Sequence, residues 1–592
     1  MKKFVIFALT LALALTAGCA NQNAVDAPKE DTVQNESASL QSDETMFTDR
    51  DRKHEYSAQT SARIELKGDT AESTSNHVRI DGSTVTITAD GTYLLSGTLD
   101  HGSIVVDAGE KAKPQLVLEG VTVQSETAAL EIREADKVFV TLVEGTENTL
   151  SGSCTGDTVD GAVFSKQDLT FNGSGSLTVI STAGHGIVCK DDLVFTGGSY
   201  QIQSAFHGLD VNDSVRMTDN TAMTLTTGKD GIHCENSDDA AKGFVYIEKG
   251  NLKITAEGDG LSAGAYARIL GGDFEILAGG GNVNGTKDHS DFFGDFMGGG
   301  RPTRPRDVEA TVSEDSTSMK GLKSEGEITI AGGSFAMDTA DDCIHSNTNI
   351  TIDGGRFDLS SGDDAIHADE TLTLKADSLN VKTSYEGLEA HKVYVRGGEM
   401  EIHAKDDGIN AAGGRDSSGT EGGRDGMFGG GPGGPMGGRP GGPMGGGFSD
   451  GVIEISGGQL KIYSSGDGMD ANGGITISDG NIYVANPSAG DTSVLDSDNG
   501  AVITGGSFIS TGASNMMAQS FTADSTQGVI ACTVGNQTAG TPISVQDAAG
   551  NTLVSYETEY NCVLIIISTP ELQKGETYTL TVGEYSGSIQ AA

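Results

Sequence analysis

The sequence predicts an all-β chain wound as a parallel β-helix, a solenoid closed by a small C-terminal β cap. Three observations carry this: a short leader motif that returns at a fixed interval, alternating apolar strands between the leaders, and paired glycines at the bends. Asp342-Cys343-Ile344-His345, Asp364-Ala365-Ile366-His367, Glu386-Gly387-Leu388-Glu389 and Asp407-Gly408-Ile409-Asn410 begin 22, 22 and 21 residues apart. Asp467-Gly468-Met469-Asp470 follows them. His185-Gly186-Ile187, His207-Gly208-Leu209-Asp210, Asp230-Gly231-Ile232-His233, Asp259-Gly260-Leu261 and Lys320-Gly321-Leu322-Lys323 precede them.

Between leaders, stretches such as Ile328 to Met337 and Ile350 to Leu359 place apolar residues at every second position around a Gly-Gly bend. This is the strand period of two, with one face inward. Each strand is too short to stand alone. Stacking on the next repeat, about 4.8 Å away, supplies the missing partner. An antiparallel sandwich is the alternative, but it does not explain why the same residue returns at the same place in every repeat.

The elements follow in order. Met1-Lys2-Lys3, the apolar stretch Phe4 to Leu15 and Thr16-Ala17-Gly18-Cys19 read as a lipoprotein signal over 1–18, with Cys19 the lipidated residue. Residues 19–63 are polar and read as a disordered tether. The β-helix is expected over 64–514, with Val78 to Leu150 as looser first turns. Low-complexity Gly/Pro/Met/Arg insertions at 284–318 and 413–450 are expected to be disordered and to leave from one edge, the second after the Asp407 leader and the first after a leader-like Asn282-Val283-Asn284-Gly285. Residues 515–592 have a different strand rhythm and are expected to cover the open end, where unpaired edges would invite aggregation.

With 38 Lys+Arg against 84 Asp+Glu the formal charge is −46, which argues against nucleic acid as a partner. There is no Trp, and aromatic residues make up 5%, so stacking on sugars falls to Tyr and Phe. Seven cysteines leave six once Cys19 is lipidated. Cys532 with Cys562 is the candidate bridge, whereas Cys189, Cys234 and Cys343 read as small buried residues.

The acidic leader residue recurs once per repeat, so Asp342, Asp364, Glu386 and Asp407 should form a column, doubled by Asp341, Asp363 and Asp406. Unit charges about 4.8 Å apart repel by about 3.5 kcal/mol at an effective dielectric of about 20. Such a ladder calls for cations, and hard oxygen donors in an exported chain favour several Ca²⁺ ions. The candidate metal ligands are Asp230, Asp259, Asp341, Asp342, Asp363, Asp364, Glu386, Asp406, Asp407, Asp467 and Asp470. His345, His367, Glu389 and Asn410, three residues after their leaders, are candidate ligand-binding residues. A solvated acidic face is one alternative. A transition-metal site using His345 and His367 is another. Lys320 and Lys323 replace carboxylates in one repeat, either pairing with the column or lying at the surface.

The leaders at this spacing, with Thr-Ile-x-Gly-Gly-x-Phe strands between them, resemble a clostridial family of exported carbohydrate-binding β-helix proteins. The resemblance spans roughly Val78 to Thr581, including the Lys320 repeat and Glu571 to Tyr578. It implies a right-handed, pectate-lyase-like helix that carries several calcium ions and binds cellulose or the acidic pectic backbone. The leaders at His185, His207 and Lys320 depart from that pattern. The function expected is calcium-dependent binding of plant cell-wall polysaccharide by a monomer at the outer face of the cell membrane, touching the membrane through its lipid alone. A calcium-dependent lyase using a base such as Arg356, Arg396, Lys320 or Lys323 is the first alternative. A structural or adhesive surface element is the second. No catalytic residue is assigned.

Overall fold

A computed structural model of the chain describes residues 45–287, 318–411 and 450–592, apart from positions 155, 157, 489 and 491. The all-β expectation is borne out: the described residues form a 42-stranded sheet dominated by parallel pairings, a four-stranded antiparallel sheet and one short α-helix. Among the described residues no helix is long and apolar enough to cross a membrane.

Each repeat contributes three strands, for example Ile344–Ser346, Asn349–Ile352 and Arg356–Ser361. Each strand pairs in parallel with its counterpart one repeat on, so that Ile344 lies opposite Ile366, Ile366 opposite Leu388, and Leu388 opposite Ile409. In-register pairing puts like on like: the Phe274, Phe335 and Phe357 rings stack with centroids 4.6 and 4.7 Å apart. The inward apolar residues merge into one cluster running from Ile64 to Ile566. Because every strand meets its equivalent, a single apolar face suffices for the core.

The ladder begins where Ala62–Gly68 pairs with Thr92–Leu99. It ends where Ser507–Gly512 meets Cys562–Ser568 in antiparallel register. Cys562–Ser568 then pairs with Val529–Gln537, and a second apolar cluster including Ile530, Ile565, Ile567 and Leu572 lies beneath. The switch to antiparallel pairing stops the ladder from offering another parallel edge.

Three local expectations are corrected. The polar segment expected as tether up to residue 63 is ordered from residue 45: the helix Asp49–Arg52 docks on the sheet, with Asp51 1% exposed. Lys137 Nζ stands 2.8 Å from Asp51 Oδ1, and Thr170 Oγ1 donates to the same oxygen at 2.7 Å. Asn172 and Thr196 bond the Asp51 carbonyl. The bridge between Cys532 and Cys562 does not form, because the register sets Cys532 opposite Ile565 and Cys562 opposite Gln537; all six described cysteines are free. Cys189, Cys234 and Cys343 are buried, as expected.

The two insertions do not leave from one edge. Leu261–Ala263 pairs directly with Leu322–Ser324, so Asn282-Val283-Asn284 is no leader but a 3₁₀ turn after the third strand of its repeat. The second insertion leaves after a leader strand, Ile409–Ala411, and before Val452–Ser464. Most of both insertions, 288–317 and 412–449, lies outside the described residues.

Candidate functional site

The leader strands place the site. A Cβ on Gly231 would stand 2.6 Å from the Gly260 carbonyl oxygen, and one on Gly260 the same distance from that of Gly321. Glycine after the leader residue thus lets successive repeats close up at this corner. The close approach brings the leader side chains into register.

The carboxylates form a hydrogen-bonded column. Asp230 Oδ1 accepts the Asp259 N–H at 2.8 Å, Asp259 Oδ1 the Lys320 N–H at 2.7 Å, and Asp342 Oδ1 the Asp364 N–H at 3.0 Å. Asp364 Oδ1 accepts from Glu386 N at 3.1 Å, and Asp407 Oδ1 from Asp467 N at 2.5 Å. One oxygen of each aspartate is therefore spent on holding the next repeat. The other points to a second column formed by the residues three positions on: His233, Ser262, Lys323, His345, His367, Glu389, Asn410 and Asp470.

The column divides into zones by what faces that second oxygen. At the Lys320 repeat the ammonium is 1% exposed and donates to Asp341 Oδ1 at 3.0 Å and Asp342 Oδ2 at 2.5 Å. Burial alone would push the Asp342 carboxyl up, but Lys320 and His345 hold it well below the usual range. The surface-lysine reading fails for Lys320, and the pairing reading stands. Lys323 is more open, 4.0 Å from Asp259 Oδ2 and 3.8 Å from Glu325.

His345 and His367 stack with centroids 4.9 Å apart. His345 Nδ1 lies 2.8 Å from Asp342 Oδ2, and its Nε2 2.9 Å from Asn347 Oδ1. His367 Nδ1 lies 3.2 Å from Asp364 Oδ2 and 2.8 Å from Glu389 Oε2. Burial and the Asp364 charge raise Glu389 to about 8. Asp363 is raised to about 10 by burial and by Asp364 and Asp342, against Lys287 at 2.8 Å.

Beyond Glu386 the leader residues are Asp407 and Asp467, with Asn410 and Asp470 beside them. Asp407, Asp467 and Asp470 are half-buried, and one oxygen of each lies within 4.8 Å of the others. Burial and then neighbouring carboxylates push all three up: Asp407 well above the usual range by Asp467, Asp406 and Asp470, Asp467 to about 8, and Asp470 to about 7 with Asp496 and Asp498 contributing. A Cβ on Gly466 would collide with the Asp406 and Asp407 carboxylates, so these oxygens cradle bare backbone. The donors are all oxygens, which suits a hard divalent cation with a large, flexible shell.

At the other end Asp230 faces imidazoles instead. His207 and His233 stack at 4.5 Å, and His185 stacks on His207 at 5.1 Å. The sequence reading named Asp230 but not His233 or Asp210. The signal was present in the third position after each leader, where His233 is equivalent to His345.

A groove of about 710 Å³ lies elsewhere, at the turns into the second strands of the early repeats, lined by Arg133, Asp168, Asp191, Asp213, Arg216 and Phe244 among others. Burial and a hydrogen bond with Asp213 raise Asp191 to about 7. Arg216 pairs with Asp192 at 2.6 Å, and Phe244 stacks on Tyr266 at 4.8 Å. No motif in the sequence marks this groove, because its residues come from turns of different length.

Of the bases considered for lyase chemistry, Lys320 is saturated by two carboxylates and Arg396 lies over the Tyr394 ring, 3.5 Å from Glu454. Arg356 is exposed at the start of a third strand. The geometry does not bring these groups together.

Residues 81–365 match a family model described as carbohydrate-binding domain-containing protein. A protein of Acetivibrio thermocellus with the same description is 28% identical over 221 residues, 35% of this chain and 77% of its own length. Among solved structures, a polysaccharide lyase-like protein from C. thermocellum, studied as a gadolinium derivative, is 30% identical; the match covers 37% of this chain and 92% of that one, with a TM-score of 0.36. The resemblance to a carbohydrate-binding family with clostridial members is borne out.

Proposed function

We propose that the chain is a calcium-dependent, carbohydrate-binding surface lipoprotein. It is a monomeric right-handed parallel β-helix, held at the outer face of the cell membrane through lipid on Cys19, whose partner is acidic pectic or cellulosic plant cell-wall polysaccharide. The family match over 81–365 supports the carbohydrate, and the three-strand repeat with parallel pairing supports the helix. The observation that carries the calcium reading is the Asp407, Asp467 and Asp470 cluster. Its charged neighbours Asp406, Asp496 and Asp498 add repulsion rather than compensation.

These carboxylates would hold Ca²⁺, whose shell of about six to eight oxygens exceeds what three side chains fill. Bound there, the ion supplies positive charge to a face that otherwise repels uronate. Asp364 and Glu386 extend the same wall, while Lys320 already fills the place of a cation beside Asp341 and Asp342.

The test is co-sedimentation with insoluble pectic and cellulosic polysaccharide, with calcium or with chelator. Binding to the acidic glycan should fall with chelator and in Asp407→Asn/Asp467→Asn. Calcium at about 100 times its Kd should raise stability by about 2.7 kcal/mol. Binding to no glycan would defeat the carbohydrate reading, whereas binding indifferent to chelator and to both substitutions would defeat calcium alone.

A further inference from the structure

We propose that His207, Asp230 and His233 form a second kind of metal site, one for a first-row transition cation of the Zn²⁺ class, held by two imidazole nitrogens and one carboxylate oxygen. Asp230 Oδ2 stands 3.3 Å from His207 Nδ1 and 3.2 Å from His233 Nδ1. Around a tetrahedral ion with bonds of about 2.1 Å, neighbouring ligand atoms stand about 3.4 Å apart. Two of the three edges are therefore already at that length and all three donor atoms lie within 4.8 Å of one another, with His207 Nδ1 giving up the Asp230 N–H it accepts when it takes the ion. The two rings are within 19° of parallel, 4.5 Å apart, so both present Nδ1 to the same oxygen.

The donor set decides the metal. Imidazole nitrogen suits zinc, copper or nickel, and calcium takes oxygen. Outside the triad, His233 Nε2 lies 3.5 Å from Glu235 Oε2, the carboxylate behind the imidazole that commonly fixes a ligand's tautomer. A separate observation lies one repeat earlier. His185 stacks on His207, its Nδ1 is buried without a hydrogen-bond partner, and with His207 and Asp210 it makes a second triad. A further nitrogen donor thus stands next to the first site with nothing to bond.

The other histidine pair does not offer this. His345 shares Asp342 with Lys320, whose ammonium already stands against that carboxylate, and the His367 side chain is 0% exposed among three carboxylates. By contrast the side chains of Asp230, His207 and His233 are 13, 14 and 26% exposed, open enough for an ion to enter. Three protein ligands also leave a fourth position for water or another group, as in zinc sites that are not purely structural.

The test is Zn²⁺ uptake by the full, tag-free chain, stripped with chelator and desalted, read by calorimetry and elemental analysis, with Co²⁺ as a coloured probe. A tightly held ion is expected that excess Ca²⁺ does not displace. H207Q and H233Q should each weaken uptake by at least about tenfold and remove the visible Co²⁺ bands, while H345Q keeps both. His207 Nδ1 also accepts the Asp230 backbone N–H, so if circular dichroism shows H207Q unfolded, H233Q decides. The proposal is overturned if the wild type takes up no Zn²⁺, if Ca²⁺ displaces it, or if H233Q binds and colours like the wild type. None of these results bears on glycan binding or on the Asp407 cluster.

Discussion

Lys320 shows what a single side chain does inside the column. Lys320 stands at the leader position where neighbouring repeats carry a carboxylate, and its ammonium reaches Asp341 and Asp342 and neutralises them from within. Lys320→Met should leave Asp342, 0% exposed, without that compensation. At neutral pH the expected cost is about 3–5 kcal/mol, read by urea unfolding. Asp342 has a lowered folded pKa, so its contribution is present above the unfolded value of about 3.9 and is lost as pH falls through the folded one. The variant loses that contribution, so its deficit should shrink at about pH 4, where protonation relieves the stranded charge. An equal deficit at both pH values would mean that Lys320 acts by packing. The sequence showed that Lys320 replaces an acidic leader. It could not decide between an internal ammonium and a surface one, because that depends on Gly321 letting the repeats close over it.

At the scale of elements, the helix Asp49–Arg52 and its flanks act as a strap fastened by polar contacts and by Phe47, buried against Val194, Phe244 and Tyr246. Burial alone would raise the Asp51 carboxyl, but Lys137 outweighs it and the group is held low. Asp51→Ala should strand Lys137, whose side chain is 11% exposed, and release the strap. Amide exchange over residues 45–61 should accelerate and proteases should cut before Ala62, while exchange in the repeats stays slow; unchanged protection would refute the docking. In the repeats, Gly387→Ala would drive a Cβ into the Gly408 carbonyl and Ile402. It should cost about 1–3 kcal/mol in thermal or urea unfolding.

These two elements mark the limits of legibility. The repeats were readable because the same apolar residue returns at each leader and bend. The strap was not, since Asp51 docks through hydrogen bonds to Thr170, Asn172 and Thr196 and Phe47 is a single apolar anchor, neither of which leaves an apolar period, and a docked polar segment has the composition of a solvated one. Cys532 and Cys562 misled for a related reason: pairing depends on strand register, which sets Cys532 opposite Ile565 rather than Cys562. Asn282 looked like a leader by local similarity, but only the ladder shows that Leu261 passes directly to Leu322.

For the whole molecule, the charge that meets the leader carboxylates changes along the column: imidazoles face Asp230, an ammonium faces Asp342, and Asp467, Asp406 and Asp470 crowd Asp407. That distribution fixes how stability should vary with pH. In the metal-free fold, burial and neighbouring carboxylates raise Asp467 to about 8 and Asp470 to about 7, against about 3.9 in an unfolded chain. From about pH 4 to pH 8 the folded chain therefore holds protons that the unfolded chain has lost. Stability of the metal-free chain must fall as pH rises through that window, by up to about 1.4 kcal/mol per pH unit for each such group. Calcium held as proposed would reverse this dependence, since it would bind the ionised carboxylates and compete with the protons. Thermal unfolding in chelator should give a higher Tm near pH 5.5 than near pH 8, and calcium should raise Tm most at the alkaline end. Asp467→Asn/Asp470→Asn should flatten the chelator profile and abolish most of the calcium shift. A metal-free Tm that rises from pH 5.5 to pH 8 would show that these carboxylates are already compensated within the chain.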